Sequence, residues 1–153
     1  MGYRSNGVWV IKGPVKQIVL AWVHARMTIS MSPEAAAEGD VSWDDFKRYR
    51  VGDTGYIRFE FIDWKWYDNY PSVQFYESVW TALSEHNDAT EVEGSDQEIS
   101  GKRIHIGEDG ALDENEFGPD TPVLWTTNPQ IQDEEAVEGE PLTTEPTEPT
   151  ETP

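Results

Sequence analysis

Tyr56-Ile57-Arg58-Phe59-Glu60-Phe61-Ile62-Asp63-Trp64-Lys65-Trp66 is the stretch on which the fold turns. Ile57, Phe59 and Phe61 alternate with Arg58, Glu60 and Ile62, and Trp64 and Trp66 follow with Asp63 and Lys65 between them. A period of two held this long sends alternate side chains to opposite faces of a pleated strand and lays no apolar stripe along a helix. It predicts a long strand with an aromatic face. Beyond Asp68-Asn69-Tyr70, Pro71 suits the first turn of a helix. There Val73, Tyr76, Trp80 and Leu83 share one face, Phe75 and Val79 lie beside them, and Glu77, Ser78, Thr81 and Glu85 face away.

Toward the N-terminus, Val8-Trp9-Val10-Ile11 is an apolar run closed by Gly13-Pro14, which predicts a buried strand. From Val15 to Met27, Val15, Ile18, Val19, Trp22 and Val23 recur at helical steps, giving an amphipathic helix. Ser32-Pro33-Glu34 opens a short helix that Gly39 closes. Ser42 caps another helical turn, with Asp45 where a capping box has Glu or Gln. That turn carries Lys47, Arg48 and Arg50 and ends at Gly52-Asp53-Thr54-Gly55.

Toward the C-terminus, residues 87–101 suit an exposed loop or hairpin, Lys102-Arg103-Ile104-His105-Ile106 a short strand, 107–120 a loop, and Pro122-Val123-Leu124-Trp125 a last edge strand. The expected architecture is α+β, a three- or four-stranded sheet with two main helices on one face and acidic loops. Seven Trp, six Tyr and five Phe supply its core. Residues 1–128 form the expected single domain. Residues 129–153, rich in Pro, Thr and Glu, form an expected disordered tail, having little to bury against the entropy of ordering.

The 153 residues carry 30 Asp+Glu against 11 Lys+Arg, for a net charge of −19. The excess is unevenly placed. Residues 1–65 hold 9 basic and 8 acidic side chains, while residues 66–153 hold 2 basic and 22 acidic ones. Such a chain does not hold nucleic acid or an anionic bilayer by bulk electrostatics, and its natural partners are cationic. The near-neutral first half argues against the all-round acidity of a halophile protein. A dense anionic surface opposes folding by self-repulsion, which points to retention for a partner. The absence of cysteine excludes disulfides, thiolate nucleophiles and Cys-based metal sites, and agrees with a reducing, intracellular setting. No secretory leader is expected at Met1-Gly2-Tyr3-Arg4-Ser5, and the apolar run Ile18 to Val23 is far shorter than a membrane span.

Catalytic patterns are missing. The nucleophile elbow, the P-loop and the dinucleotide glycine pattern are all absent, and His24, His86 and His105 suit structural or surface roles. Counted from Asp113, a calcium loop would need an acid at its twelfth position, where Leu124 stands. No enzyme activity, cofactor or metal is expected. The acids Asp88, Glu91, Glu93, Asp96 and Glu98, then Glu108, Asp109, Asp113, Glu114, Glu116 and Asp120, can instead imitate a line of phosphates. Carboxylates two apart on a strand, or four apart on a helix, lie about 6 to 7 Å from one another. An alternative surface is the aromatic patch of Trp64, Trp66, Tyr67 and Tyr70, the anchor of a protein-protein adaptor that is no mimic.

The opening Met1-Gly2-Tyr3-Arg4-Ser5, then Trp64-Lys65-Trp66-Tyr67 leading into Tyr70-Pro71-Ser72-Val73-Gln74 and Glu77, and later Ile104-His105-Ile106-Gly107-Glu108, resemble a group of small bacteriophage-encoded proteins. The resemblance covers scattered motifs within residues 1–110, and the acidic loops and the tail depart from it. Phages encode acidic DNA mimics that block host restriction systems, CRISPR effectors, uracil-DNA glycosylase and DNA gyrase. Phage origin together with the charge implies an inhibitor in the cytoplasm of an infected bacterium, occupying the groove of a basic DNA-binding host protein, with DNA gyrase slightly favoured. Neither nucleic acid nor membrane is an expected partner. A homodimer would extend the anionic surface, although no heptad pattern marks one.

Overall fold

The computed structural model describes residues 4–37, 41–90, 97–127, 130–133 and 139–142. The expected central strand is Thr54–Trp64 (β3), paired antiparallel on one side with Ser5–Pro14 (β1) and on the other with Lys47–Val51 (β2). Ser100–Gly107 (β4) lies on the far side of β1, and Leu112–Phe117 (β5) pairs with β4 as a hairpin. Leu124–Thr127 (β6) and Gln130–Asp133 (β7) make a separate two-stranded sheet, and Glu140–Pro141 (β8) flanks β2. The main sheet therefore has six strands in the order β5-β4-β1-β3-β2-β8.

The fold is α+β as expected, with a larger sheet than the expected three or four strands. One added strand is β2, where the cap at Ser42 suggested a helical turn. Ser42 Oγ does accept the Asp44 N–H, at 3.0 Å. The turn is only the 3-10 segment Trp43–Asp45, after which Phe46 drops into the core and Lys47–Val51 runs back along β3. Another added strand is β5, in the segment expected to be loop. Its side chains are nearly all exposed, and it is held by backbone pairing to β4. The third is β8, which with β7 lies inside the segment expected to be disordered. Those strands are held by Ile131 against the reverse face, by Leu142 against the core and by an ion pair of Asp133 with Arg58. The rest of that segment, 129, 134–138 and 143–153, lies outside the described residues.

Both main helices, Val15–Thr28 (α1) and Pro71–Ser84 (α3), pack on one sheet face with the short helix Pro33–Ala37 (α2). The Ala35 N–H donates to Ser32 Oγ at 3.0 Å, the expected cap. Ile18, Ala21, Trp22 and Ala25 from α1, and Phe75, Tyr76, Val79, Trp80 and Leu83 from α3, are buried against Trp9, Ile11, Ile57, Phe59 and Phe61. Each large side chain so buried contributes roughly 1.5 to 3 kcal/mol. The strand alternation supplies this aromatic face. Gly7 stands opposite Phe61 and Gly101 opposite Phe117, and each ring lies over its glycine where a β-carbon would collide with it. The reverse face carries Val8, Val10, Tyr56 and Ile104, covered by Leu124 and Ile131 of the β6–β7 hairpin. A five-residue helix, His86–Thr90 (α4), ends the helical layer.

Candidate functional site

One edge of the sheet gathers most of the described candidate acids. Glu108 and Asp109 lie in the turn between β4 and β5, Asp113, Glu114 and Glu116 lie on β5, and Asp120 follows it. All six are exposed. Gly107 and Ser100 mark the two ends of β4, about 23 Å apart at the rise of an extended strand. The carboxylates thus run the full length of this edge. At the Ser100 end, the Asp120 N–H donates to Ser100 Oγ at 2.9 Å, and Asp120 shares a 630 Å³ groove with Glu98, Lys12 and Tyr56. Asp88 belongs to the same end. Its neighbour Asn87 holds Ile99 by two hydrogen bonds of 2.9 Å, docking α4 against the start of β4. Glu91, Glu93 and Asp96 lie outside the described residues.

The pleat divides these acids. Phe117 packs on Trp80 on the helix side, so Asn115 and Asp113 share that side, while Glu114 and Glu116 share the reverse side with Lys102 and Ile104. Glu114 and Glu116 are two apart on one face, the phosphate-like spacing of about 6 to 7 Å. The same alternation keeps adjacent carboxylates from converging, and no group of three His, Asp or Glu able to hold a metal ion occurs among the described residues.

The only two cations of residues 66–153 are engaged by acids of the chain itself. Lys102 Nζ lies 3.8 Å from Glu114, and Arg103 donates to Glu77 Oε1 at 2.7 Å. Lys12 from the first half lies 3.9 Å from Asp120. The two lysine pairs, each with an exposed carboxylate, contribute about 0 to 1 kcal/mol, and the edge as a whole stays anionic.

Behind this edge is a polar network that helix periodicity did not disclose. Glu77 does not face away from the protein as its position on α3 suggested. It is half-buried, accepting from Arg103 and, at 3.0 Å, from Trp66 Nε1–H. The Arg103 guanidinium lies over Trp9 and Trp80, 4.9 and 5.0 Å from their ring centroids. Trp9 Nε1–H donates to His105 Nε2 at 2.8 Å. Burial, and then the charge of Arg103, lower the His105 pKa to about 3, so it is a neutral acceptor at ordinary pH and a poor proton carrier. His86 is also buried, 2.9 Å from Gln17 Oε1, and burial followed by His24 lowers its pKa. His24 is exposed on α1.

The alternative aromatic patch is divided. Trp66 stacks on Phe61 with centroids 4.2 Å apart, and Trp64 packs on Phe59, Phe61 and Tyr76, so both extend the core. Tyr67 and Tyr70 meet edge to face at 5.2 Å, half-buried at the end of that cluster. A 300 Å³ groove lined by Arg4, Val41, Asp63, Trp64, Tyr70 and Val73 lies alongside.

The opposite edge has the reverse charge. Lys47, Arg48 and Arg50 lie on β2, and residues of the acidic C-terminal segment cover it. Arg50 and Tyr49 pair with Glu140 and Pro141, and the Leu142 N–H donates to the Arg48 carbonyl at 3.0 Å. On the reverse face Arg58 pairs with Asp133 and Glu60. Burial opposes the Arg58 charge, and the two carboxylates outweigh it, so its pKa rises above the ordinary arginine value. Among the described residues no helix is long and apolar enough to cross a membrane. No protein-family model matches this chain, and no curated protein or solved structure is significantly similar to it.

Proposed function

We propose that this chain is a phage-encoded DNA mimic that enters the DNA-binding groove of a basic host enzyme in the cytoplasm of an infected bacterium and inhibits it. The observation that carries the reading is the row of exposed carboxylates at Glu108, Asp109, Asp113, Glu114, Glu116 and Asp120 along one whole edge of the sheet. Over about 23 Å, one strand of duplex DNA presents roughly seven phosphates, at about 3.4 Å of axis each. Six acids are spread along that length, divided between the two faces of the pleat. A groove lined with Lys and Arg gains attraction from such a row without a nucleic acid being present.

DNA gyrase, whose long DNA-clasping surface suits a long anionic edge, is the first target to assay. The experiment titrates purified gyrase with the full chain, following supercoiling and the retention of labelled duplex. The reading expects inhibition that tracks displacement of the duplex and weakens steeply as salt rises. Inhibition with the duplex still bound, or binding indifferent to salt, contradicts mimicry.

A further inference from the structure

The β5 edge offers backbone as well as charge. The Gly107 N–H donates to the Ala111 carbonyl at 2.8 Å, closing the β4–β5 hairpin with a hydrogen-bonded pair. In an antiparallel ladder such pairs alternate with pairs that are not hydrogen-bonded. The register His105 with Asp113, Arg103 with Asn115 and Gly101 with Phe117 therefore uses the backbone groups of those β5 residues toward β4. Leu112, Glu114 and Glu116 turn their N–H and C=O groups the other way, where no strand lies among the described residues. The strand is six residues long and contains no proline or lysine. Such an edge is a template for strand addition.

Its charge selects the occupant. Antiparallel pairing of two β5 edges, centred on Glu114 or Asn115, would set Glu114 against itself or against Glu116. Like charges directly opposite destabilise a strand pair, and opposite charges stabilise it. We propose that β5 receives an extended, basic strand of a partner protein, added antiparallel to the sheet, with Lys or Arg opposite Glu116, Glu114 and Asp113 and an apolar residue opposite the half-exposed Leu112. This is independent of DNA mimicry, which requires carboxylates alone.

The test uses the full chain and a synthetic peptide with Lys-Thr-Lys-Lys-Val between glycines, titrated at physiological ionic strength. In the proposed register the first Lys, the second Lys and Val direct their N–H groups at β5, and Thr and the third Lys direct theirs away. N-methylation of the first two Lys residues removes two edge hydrogen bonds and keeps the charge, so binding weakens about tenfold or more. N-methylation of Thr and the third Lys leaves binding within about twofold. Amide exchange at Leu112, Glu114 and Glu116 slows when the unmodified peptide binds. Equal affinity of the two methylated peptides, a loss confined to the second of them, or no binding of the unmodified peptide overturns the proposal.

Discussion

The two edges of the main sheet carry opposite charge and are finished differently. β2 holds Lys47, Arg48 and Arg50, and the C-terminal segment covers it with β8. β5 holds Asp113, Glu114 and Glu116, and no strand among the described residues pairs beyond it. Where the chain is basic it supplies its own acids, at Glu140 and, on the reverse face, Asp133 against Arg58. Where it is acidic it supplies two lysines, Lys102 and Lys12, at salt-bridge distances near 4 Å. Six exposed carboxylates are therefore gathered at one edge, a concentrated share of a chain whose net charge is −19. A surface kept anionic on an otherwise compensated sheet is a surface suited to a cationic partner.

The strongest way to break the comparison is to release the covered side. Asp133 and Arg58 are 6% and 15% exposed as side chains, so Asp133→Asn leaves a nearly buried guanidinium with Glu60 alone. The expected cost is about 3 to 5 kcal/mol in chemical denaturation, with amide exchange rising first in β6 and β7. A cost of less than about 1 kcal/mol would place the hairpin's hold elsewhere, in Leu124 and Ile131. The anchor of the open edge is next. Gly101→Ala drives a methyl group into the Phe117 ring and is expected to cost about 1 to 3 kcal/mol, loosening β5 before β3. Unchanged stability would mean that Phe117 moves aside freely.

A smaller effect separates the network behind β5 from the acids in front of it. The folded pKa of His105, about 3, lies below the ordinary histidine value of 6.5. The unfolded chain therefore binds the proton first. The contribution of this group to stability is complete above about pH 6.5 and is lost as pH falls toward 3, with a slope near 1.4 kcal/mol per pH unit below the upper limit. Lowered in the same direction, His86 adds to the trend. Urea melts of the wild-type chain between pH 7 and 5 are expected to weaken on acidification, and His105→Gln flattens the profile. A flat wild-type profile contradicts the burial argument.

The smallest expected effect is the sharpest discriminator between edge and core. Neutralising the edge with Asp109→Asn, Asp113→Asn, Glu114→Gln and Glu116→Gln removes charges that are all exposed. Stability is expected to change by no more than about 0.5 kcal/mol, or to rise at low salt as repulsion falls. A large loss would mean that these acids serve the fold.

Periodicity disclosed the parts of the molecule that bury a face. Val8-Trp9-Val10-Ile11, Val15 to Met27, the Tyr56–Trp66 alternation and the α3 stripe all correspond to elements of the core. It could not disclose β5, because Leu-Asp-Glu-Asn-Glu-Phe has no apolar alternation and its pairing resides in the backbone. Nor could it disclose β2, where a genuine cap at Ser42 opens a turn too short to become a helix. Lys47–Val51 pairs with β3, and two of its three half-buried positions, Arg48 and Arg50, are filled by long charged side chains. Glu77 depends on Arg103 and Trp66 arriving from other elements, and such a convergence leaves no mark in local spacing. The acids themselves were legible as a set. Their alignment along one edge required the β4–β5 hairpin.

The measurement that bears most directly on the central claim is capture of host proteins by the wild-type chain and by the four-site neutralised variant, side by side. Low- and high-salt washes and added duplex DNA follow. The account predicts that the wild-type chain retains a DNA-binding enzyme that leaves with salt and with competing duplex, and that the neutralised variant, equally stable, retains none of it. Equal retention by the two chains, unaffected by salt or duplex, would contradict the assignment of partner binding to the acidic edge.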